Sequence, residues 1–180
     1  VKIGKTSLRD VVTLEWPVFR DERGSFQRLY CQDQLAAAGL PSSFPQSNLA
    51  TNSAKGILRG MHFQRAPQQE DKLVRCIVGA ILDVVIDIRP ESPTFARHFK
   101  VELSADNARA LFVPKGFAHG YLTLTEGAAV LYHVTAAYAP GAEGGLRWND
   151  PAFGIDWPIG DPKLSAKDAA WPDFDAGRSA

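Results

Sequence analysis

The sequence predicts an all-β fold, a sandwich, jelly roll or barrel, with a few short helical turns near its ends. Short stretches rich in β-branched and aromatic residues recur along the chain at close intervals. Fifteen glycines and twelve prolines punctuate them, and helix signals are few. Many short strands separated by turn residues are the pattern of antiparallel β folds.

The strands are expected at residues 11–14, 26–30, 73–78, 81–88, 98–103, 110–113, 120–124 and 129–135. The second follows the turn Asp21-Glu-Arg-Gly-Ser-Phe26. Between it and the third, Asp33-Gln-Leu-Ala-Ala-Ala-Gly39 reads as a short helix stopped by glycine. Residues 81–89 have a clear period of two. Leu82, Val84, Ile86 and Ile88 face one way; Asp83, Val85, Asp87 and Arg89 face the other, so one face is apolar and the other can hold polar groups in a cavity. Near the C-terminus, Ser165-Ala-Lys-Asp-Ala-Ala reads as a capped turn. With no repeat, low-complexity tract or linker, residues 1–180 are expected to form a single domain.

Twenty basic and twenty acidic residues cancel. Such a chain has no general basic field for a nucleic acid or an anionic membrane, and its neutrality removes some protection against self-association. Cys31 and Cys76 form no CxxC and have no metal-type spacing, so free thiols in the core are expected. Residues 1–16 mix Lys2, Lys5, Arg9, Asp10 and Glu15 with short apolar pairs, which gives no signal-peptide core. No stretch approaches the ~20 apolar residues of a membrane span. A cytoplasmic location is expected.

Four stretches concentrate polar residues that strands rarely need: 21–26; 46–48 with 56–64 and Lys72; 114–120; and Tyr132-His133. In the second, small Gly56 and Gly60 and large Leu58, Met61 and Phe63 surround Arg59 and His62. If the two flank one cavity, Arg59 offers a fork for a phosphate or carboxylate and His62 offers an imidazole base. The alternative is a structural salt bridge and a hydrogen-bonded core histidine. His119, after the turn at 114–116, reads by itself as a turn histidine at the start of a strand. Tyr132 reads as a core tyrosine with its hydroxyl at a cavity edge. Lys167 and Asp168 read by default as the solvated face of their turn. The four histidines share no ligand spacing and no H-x-H occurs, so no metal is expected. Walker and Rossmann loops and G-x-S-x-G are absent.

Taken together and in order, these pieces resemble the dTDP-4-dehydrorhamnose 3,5-epimerase family over nearly the whole chain. The resemblance is carried by Asp21-Glu-Arg-Gly24, Leu58-Arg-Gly-Met-His-Phe-Gln64, Lys72-Leu-Val-Arg75, Asp83-Val-Val-Ile-Asp87 and Ser92-Pro-Thr94. It continues through Pro114-Lys-Gly-Phe-Ala-His-Gly120, Tyr132, Trp148-Asn-Asp150, Ile155-Asp-Trp-Pro158 and Leu164-Ser-Ala-Lys-Asp168.

The resemblance implies a metal-free, cofactor-free cupin-type jelly roll acting as a homodimer with exchanged strands. Its substrate would be a nucleotide-diphosphate 4-keto-6-deoxy sugar, inverted at C3 and C5 through enolates. By the same resemblance His62 is the base, Asp168 orients it, Tyr132 is the acid on the opposite face, and Lys72 stabilises the enolate oxygen. Arg23, Phe26, Arg28, Gln46, Asn48, Arg59, His119, Glu143 and Lys167 fall on substrate-contacting positions, with Arg23 and the 46–48 segment reaching toward the partner's site. Arg28 stands where the family usually has a glutamate, a reversal of charge that bears on nucleotide identity. His133 stands where lysine is common, and Tyr121 where phenylalanine is usual. The alternatives are an epimerase acting at C3 or C5 only, on a related dTDP-, GDP- or CDP-linked 4-keto sugar, and, in another class, a non-catalytic sugar-binding cupin, which would have no need to keep His62, Lys72 and Tyr132.

Overall fold

A computed structural model describes residues 1–175. In chain order the strands are β1 (Lys2–Lys5), β2 (Val12–Glu15), β3 (Val18–Asp21), β4 (Gly24–Gln27), β5 (Gln46–Thr51), β6 (Leu58–Gln64), β7 (Lys72–Val78), β8 (Ala80–Asp87), β9 (His98–Ser104), β10 (Arg109–Val113), β11 (Phe117–Thr123), β12 (Ala129–Val134) and β13 (Glu143–Gly145). Two short helices, α1 (Gln32–Ala37) and α2 (Ala166–Ala169), and a 3₁₀ turn at Pro140–Ala142 accompany them. One sheet has the order β1-β2-β10-β7-β12-β5, the other β13-β6-β11-β8-β9, and β3-β4 is a separate hairpin. Paired strands are antiparallel throughout these sheets.

The two sheets close on a shared core. Val74, Cys76, Leu111, Val113 and Val130 from the six-stranded sheet meet Ile81, Val85, Leu103, Phe117 and Tyr121 from the other. The predicted alternation of β8 is what makes this possible. Ile81 and Val85 point into the shared core, while Val84 and Ile86 pack outward beneath Leu146, Phe153, Trp157 and Phe174 of the C-terminal segment. Both faces of β8 are therefore dry, and each fully buried Ile or Val side chain contributes about 1.5–3 kcal/mol. On the outer face of the six-stranded sheet, Leu35 of α1 packs with Leu14, Trp16, Leu73 and Phe112.

Asp87, at the end of β8, is fully buried. It accepts from Arg89 Nη2 at 2.7 Å, Ser92 Oγ at 2.6 Å and Thr94 Oγ1 at 2.6 Å. Burial alone would raise its pKa, but these donors hold it below the usual carboxylate range. Arg89 in turn lies over the ring of Phe117, 4.4 Å from its centroid, and so fixes the first residue of β11.

Six of the expected strands lie within one residue of their observed bounds. Three other expectations need correction. β11 starts at Phe117, not at residue 120, because the turn spans only 114–116, with Gly116 at φ +83°, and His119 lies inside the strand. β4 ends at Gln27: residues 28–30 leave the hairpin so that Tyr30 packs against Phe44 (5.5 Å between ring centroids) and His133 (5.8 Å). Asp168 is not on a solvated face but is 5% exposed. Ser165 does cap α2, its Oγ accepting from the Asp168 N–H at 3.0 Å. Cys31 and Cys76 are unpaired, Cys76 in the core and Cys31 half-buried before α1.

Candidate active site

A cleft opens between the two sheets in two lobes, of about 340 and 270 Å³. His62, Lys72, Tyr132, Tyr138 and Glu143 line both lobes. The first lobe adds Gln46, Asn48, Gln64 and Glu70; the second adds Arg59, His119 and Tyr121.

The placement of Arg59 and His62 depends on an irregularity in β6. In a regular strand, residues three apart lie on opposite faces. Here His62 is opposite His119, but Arg59 is opposite Tyr121, so three steps along β6 match two along β11. The extra residue of this bulge brings Arg59 and His62 to one wall. It falls at Gly60, whose φ of +136° side chains rarely adopt and where a Cβ would meet Gly120 Cα at 2.6 Å.

His62 Nε2 lies 2.6 Å from Asp168 Oδ1. Burial would raise the Asp168 pKa, but the His62 hydrogen bond and charge hold it low. Asp168 is therefore a carboxylate that only accepts, so Nε2 carries the hydrogen and the lone pair of the neutral ring is on Nδ1. His119 makes a second such pair, its Nε2 3.0 Å from each oxygen of the fully buried Asp83.

Across the cleft, β7 and β12 of the other sheet present Lys72 and Tyr132. Lys72 is 9% exposed and its Nζ is 3.1 Å from Glu70 Oε1. Gln64 Nε2 donates to Glu70 Oε2 at 2.8 Å, and Gln64 Oε1 accepts from the Ala139 N–H at 2.7 Å. One side chain thus fastens both loops that flank the cleft. The Tyr132 hydroxyl is held protonated above its ordinary range, first by burial and then by the nearby Glu70 charge, against a smaller opposing effect of Arg59.

At the rim, Glu143 accepts from the Tyr138 hydroxyl at 2.9 Å and pairs with Lys167. Burial opposes its ionisation, but Lys167 and Tyr138 hold its pKa low. Tyr138 N–H donates to Gln46 Oε1 at 3.1 Å, and Gln46 Nε2 donates to Asn48 Oδ1 at 3.0 Å. Arg59 Nε donates to Asn52 Oδ1 at 2.9 Å.

Of the residues expected at the site, His62, Lys72, Tyr132, Gln46, Asn48, Arg59, His119 and Glu143 line the cleft, and Asp168 and Lys167 touch its lining. Arg23 and Phe26 do not line it. They sit on the β3-β4 hairpin, Arg23 paired with Asp21 at 2.5 Å and Phe26 67% exposed. Arg28, just beyond the hairpin, is exposed. Sequence reading missed Glu70, Tyr138 and Trp171, all of which touch this machinery. Among the described residues, no group of three or more His, Cys, Asp or Glu side chains is arranged to hold a metal ion.

Residues 5–176 match the family described as dTDP-4-dehydrorhamnose 3,5-epimerase. The curated enzyme of that name from Salmonella typhimurium is 50% identical over 173 residues, covering 95% of this chain and 94% of that one. The crystal structure of the Bacillus anthracis dTDP-4-dehydrorhamnose 3,5-epimerase with TDP and PPi bound aligns with a TM-score of 0.94 at 41% identity, covering 96% of this chain and 99% of that one. A Legionella pneumophila dTDP-6-deoxy-D-glucose-3,5-epimerase in complex with dTDP-4-keto-L-rhamnose aligns with a TM-score of 0.92 at 38% identity, covering 98% and 95%.

Proposed function

The chain belongs to the dTDP-4-dehydrorhamnose 3,5-epimerase family, and from that membership we propose how its own residues carry out the reaction. The protein is an epimerase of dTDP-rhamnose biosynthesis, inverting C3 and C5 of a dTDP-4-dehydro-6-deoxyhexose on a cupin-type jelly roll.

The observation that carries the mechanism is the juxtaposition, in one cleft, of a carboxylate-held imidazole, a cation and a protonated phenol. The protons on C3 and C5 are both α to the C4 ketone. His62 Nδ1 takes one of them, and the C–H electron pair moves through the C–C bond onto the C4 oxygen. Asp168 stabilises the imidazolium formed, and the Lys72 ammonium stabilises the enolate oxygen. The Tyr132 hydroxyl, coming from the opposite sheet, gives its proton to the other face of the ring as the enolate returns to the ketone, which inverts the centre. Tyr132 then recovers a proton from solvent and His62 releases its own to solvent, so both are reset for the second centre. Arg59, held by Asn52, and His119 line the lobe we assign to the diphosphate. Gln46, Asn48, Glu143 and Lys167 hold the remainder of the nucleotide sugar.

Proton NMR in D₂O with dTDP-4-keto-6-deoxyglucose tests this reading. We expect deuterium at both C3 and C5 and the rhamno-configured ketone. In Tyr132→Phe, delivery at C5 should fall about 10²-fold or more, with C3 exchange falling less. Equal loss at both centres would remove Tyr132 from its assigned role, and exchange at one centre in the unmodified protein would make it a one-centre epimerase. Exchange only with GDP- or CDP-linked substrates would assign the charge reversal at Arg28 to nucleotide choice.

We also propose that residues 1–180 work as one jelly-roll unit, and as a homodimer. The hairpin carries Phe19 and Phe26 as register partners, 64% and 67% exposed, and the edge strand β5 carries Leu49, 60% exposed. Seated on a second copy, the hairpin would bury these rings and bring Arg23, Phe26 and Arg28 to the partner's cleft. Light scattering should give twice the 19.6 kDa chain mass, and a monomer at micromolar concentration would refute it. Two unpaired thiols and no helix among the described residues long and apolar enough to cross a membrane fit the cytoplasm, which fractionation against a periplasmic marker would check.

A further inference from the structure

We propose that Trp171 is a positioning residue for the His62–Asp168 pair: it fixes the plane of the imidazole and shares the carboxylate oxygen on which the imidazole rests. This rests on the reading of His62 as the base. The indole Nε1 donates to Asp168 Oδ1 at 3.4 Å, and the same oxygen lies 2.6 Å from His62 Nε2. The indole also stands edge-on to the His62 ring, with 6.2 Å between centroids and 69° between planes. A single rigid side chain thus touches both members of the pair.

Its own position is set by the backbone. Gly145 is the register partner of His62 across β13 and β6. A Cβ at Gly145 would meet the indole well inside contact distance, so the indole lies directly on the bare backbone there. Lys167 Nζ lies 5.9 Å from the indole centroid. The need for such a clamp follows from α2. A helix of four residues is not stable in isolation, so the Asp168 carboxylate stays where neighbouring packing holds it. Trp171, three residues further along, supplies that packing on the side of the base.

Two donors on one oxygen have opposed effects on the pair. The indole N–H holds the carboxylate in place, but it also takes up part of the negative charge that stabilises the imidazolium. Removing only the N–H should therefore favour the protonated imidazole. The other charged or titratable groups around His62 are Lys167 of α2, Glu143 of β13, Arg59 of β6, Lys72 of β7 with Glu70 before it, His119 and Tyr121 of β11, Tyr132 of β12 and Tyr138. Of these only Lys167 lies against the indole, and Trp171→Phe leaves an aromatic ring for it.

The test is the pH dependence of C3 deuterium exchange, from about pH 5 to 8, for Trp171→Phe, Trp171→Ala, Gly145→Ala and the double variant. Trp171→Phe should keep its plateau rate within about threefold while its acid limb moves to higher pH by about half a unit. Trp171→Ala should lower plateau kcat about tenfold with KM within about twofold, because the base is misaimed while the substrate contacts remain. Gly145→Ala displaces an intact indole and should produce a similar loss. The double variant should be no slower than Trp171→Ala alone, since the clash is gone. NMR titration of the histidine rings without substrate, assigned with His62→Asn, should show the same shift in Trp171→Phe.

An unmoved limb and ring titration in Trp171→Phe, with Trp171→Ala at full plateau rate, would overturn the proposal. If the alanine variants do not fold by circular dichroism, the Trp171→Phe shift decides by itself. Wild-type exchange that survives His62→Asn would instead remove His62 as the base, while the ring titration still decides what Trp171 does.

Discussion

His62→Gln loses deuterium exchange at both C3 and C5, by about 10²–10⁴-fold, the range expected when a positioned base is removed. Glutamine is the informative replacement. Its amide reaches the position of the imidazole Nε2 and can still donate to Asp168, which is 5% exposed and would otherwise keep a buried, unpaired charge that destabilises the fold. The loss then reads as chemistry, and an unchanged thermal midpoint would confirm that it does. Both centres should fail together because both proton abstractions use the same Nδ1 lone pair. Retained exchange at one centre would give that centre another base, and His119 is the obvious one. It faces His62 across β6 and β11 and has its own carboxylate in Asp83.

Lys72→Met lowers kcat about 10²–10³-fold with KM changed only a few-fold. Methionine keeps most of the length of the side chain and removes the charge. The ground-state ketone is neutral and the charge on the C4 oxygen appears only as the proton leaves, so the ammonium acts chiefly on the transition state. The substitution also leaves Glu70 without its partner, although Gln64 still donates to it. Glu70→Gln in the Lys72→Met background separates the two effects: slowness due to a stranded carboxylate would be relieved, and slowness due to a missing oxyanion donor would remain. Rapid-quench NMR measures both. A Lys72→Met enzyme within threefold of wild type would transfer the oxyanion role to Arg59 or His119.

The central strands were legible because burial on both sides writes itself into composition. β8 could be read face by face, down to the polar inward positions Asp83 and Asp87. The strands that escaped are β1, β3, β5 and β13, which lie at sheet edges or in the hairpin, and β6, whose alternation the bulge at Gly60 interrupts. Gln-Ser-Asn-Leu-Ala-Thr of β5 and Glu-Gly-Gly of β13 have no apolar alternation because one face meets a polar cleft or bare backbone. The site divides in the same way. His62, Lys72 and Tyr132 stand out as polar groups in apolar strands. Glu70 lies in the run Gln-Gln-Glu-Asp-Lys, Tyr138 in Ala-Ala-Tyr-Ala-Pro, and Trp171 beyond a four-residue helix. Nothing local in such segments tells a solvated loop from one folded back over a cavity; only contacts with distant residues such as Gln64 and Gly145 do so.

The bulge at Gly60 means that β6 is read in two phases. Upstream of it, Leu58 faces away from the cleft and Arg59 toward it; downstream, Met61 faces away and His62 toward it. The cation assigned to the diphosphate and the base assigned to the sugar are thus joined by a frameshift in the strand's alternation, pinned where Gly60 and Gly120 touch. Smoothing the bulge into a regular ladder with every residue kept would turn either the guanidinium or the imidazole away from the cleft. The shared wall of the two groups is therefore encoded in the bulge at Gly60 as firmly as in the identity of Arg59 and His62.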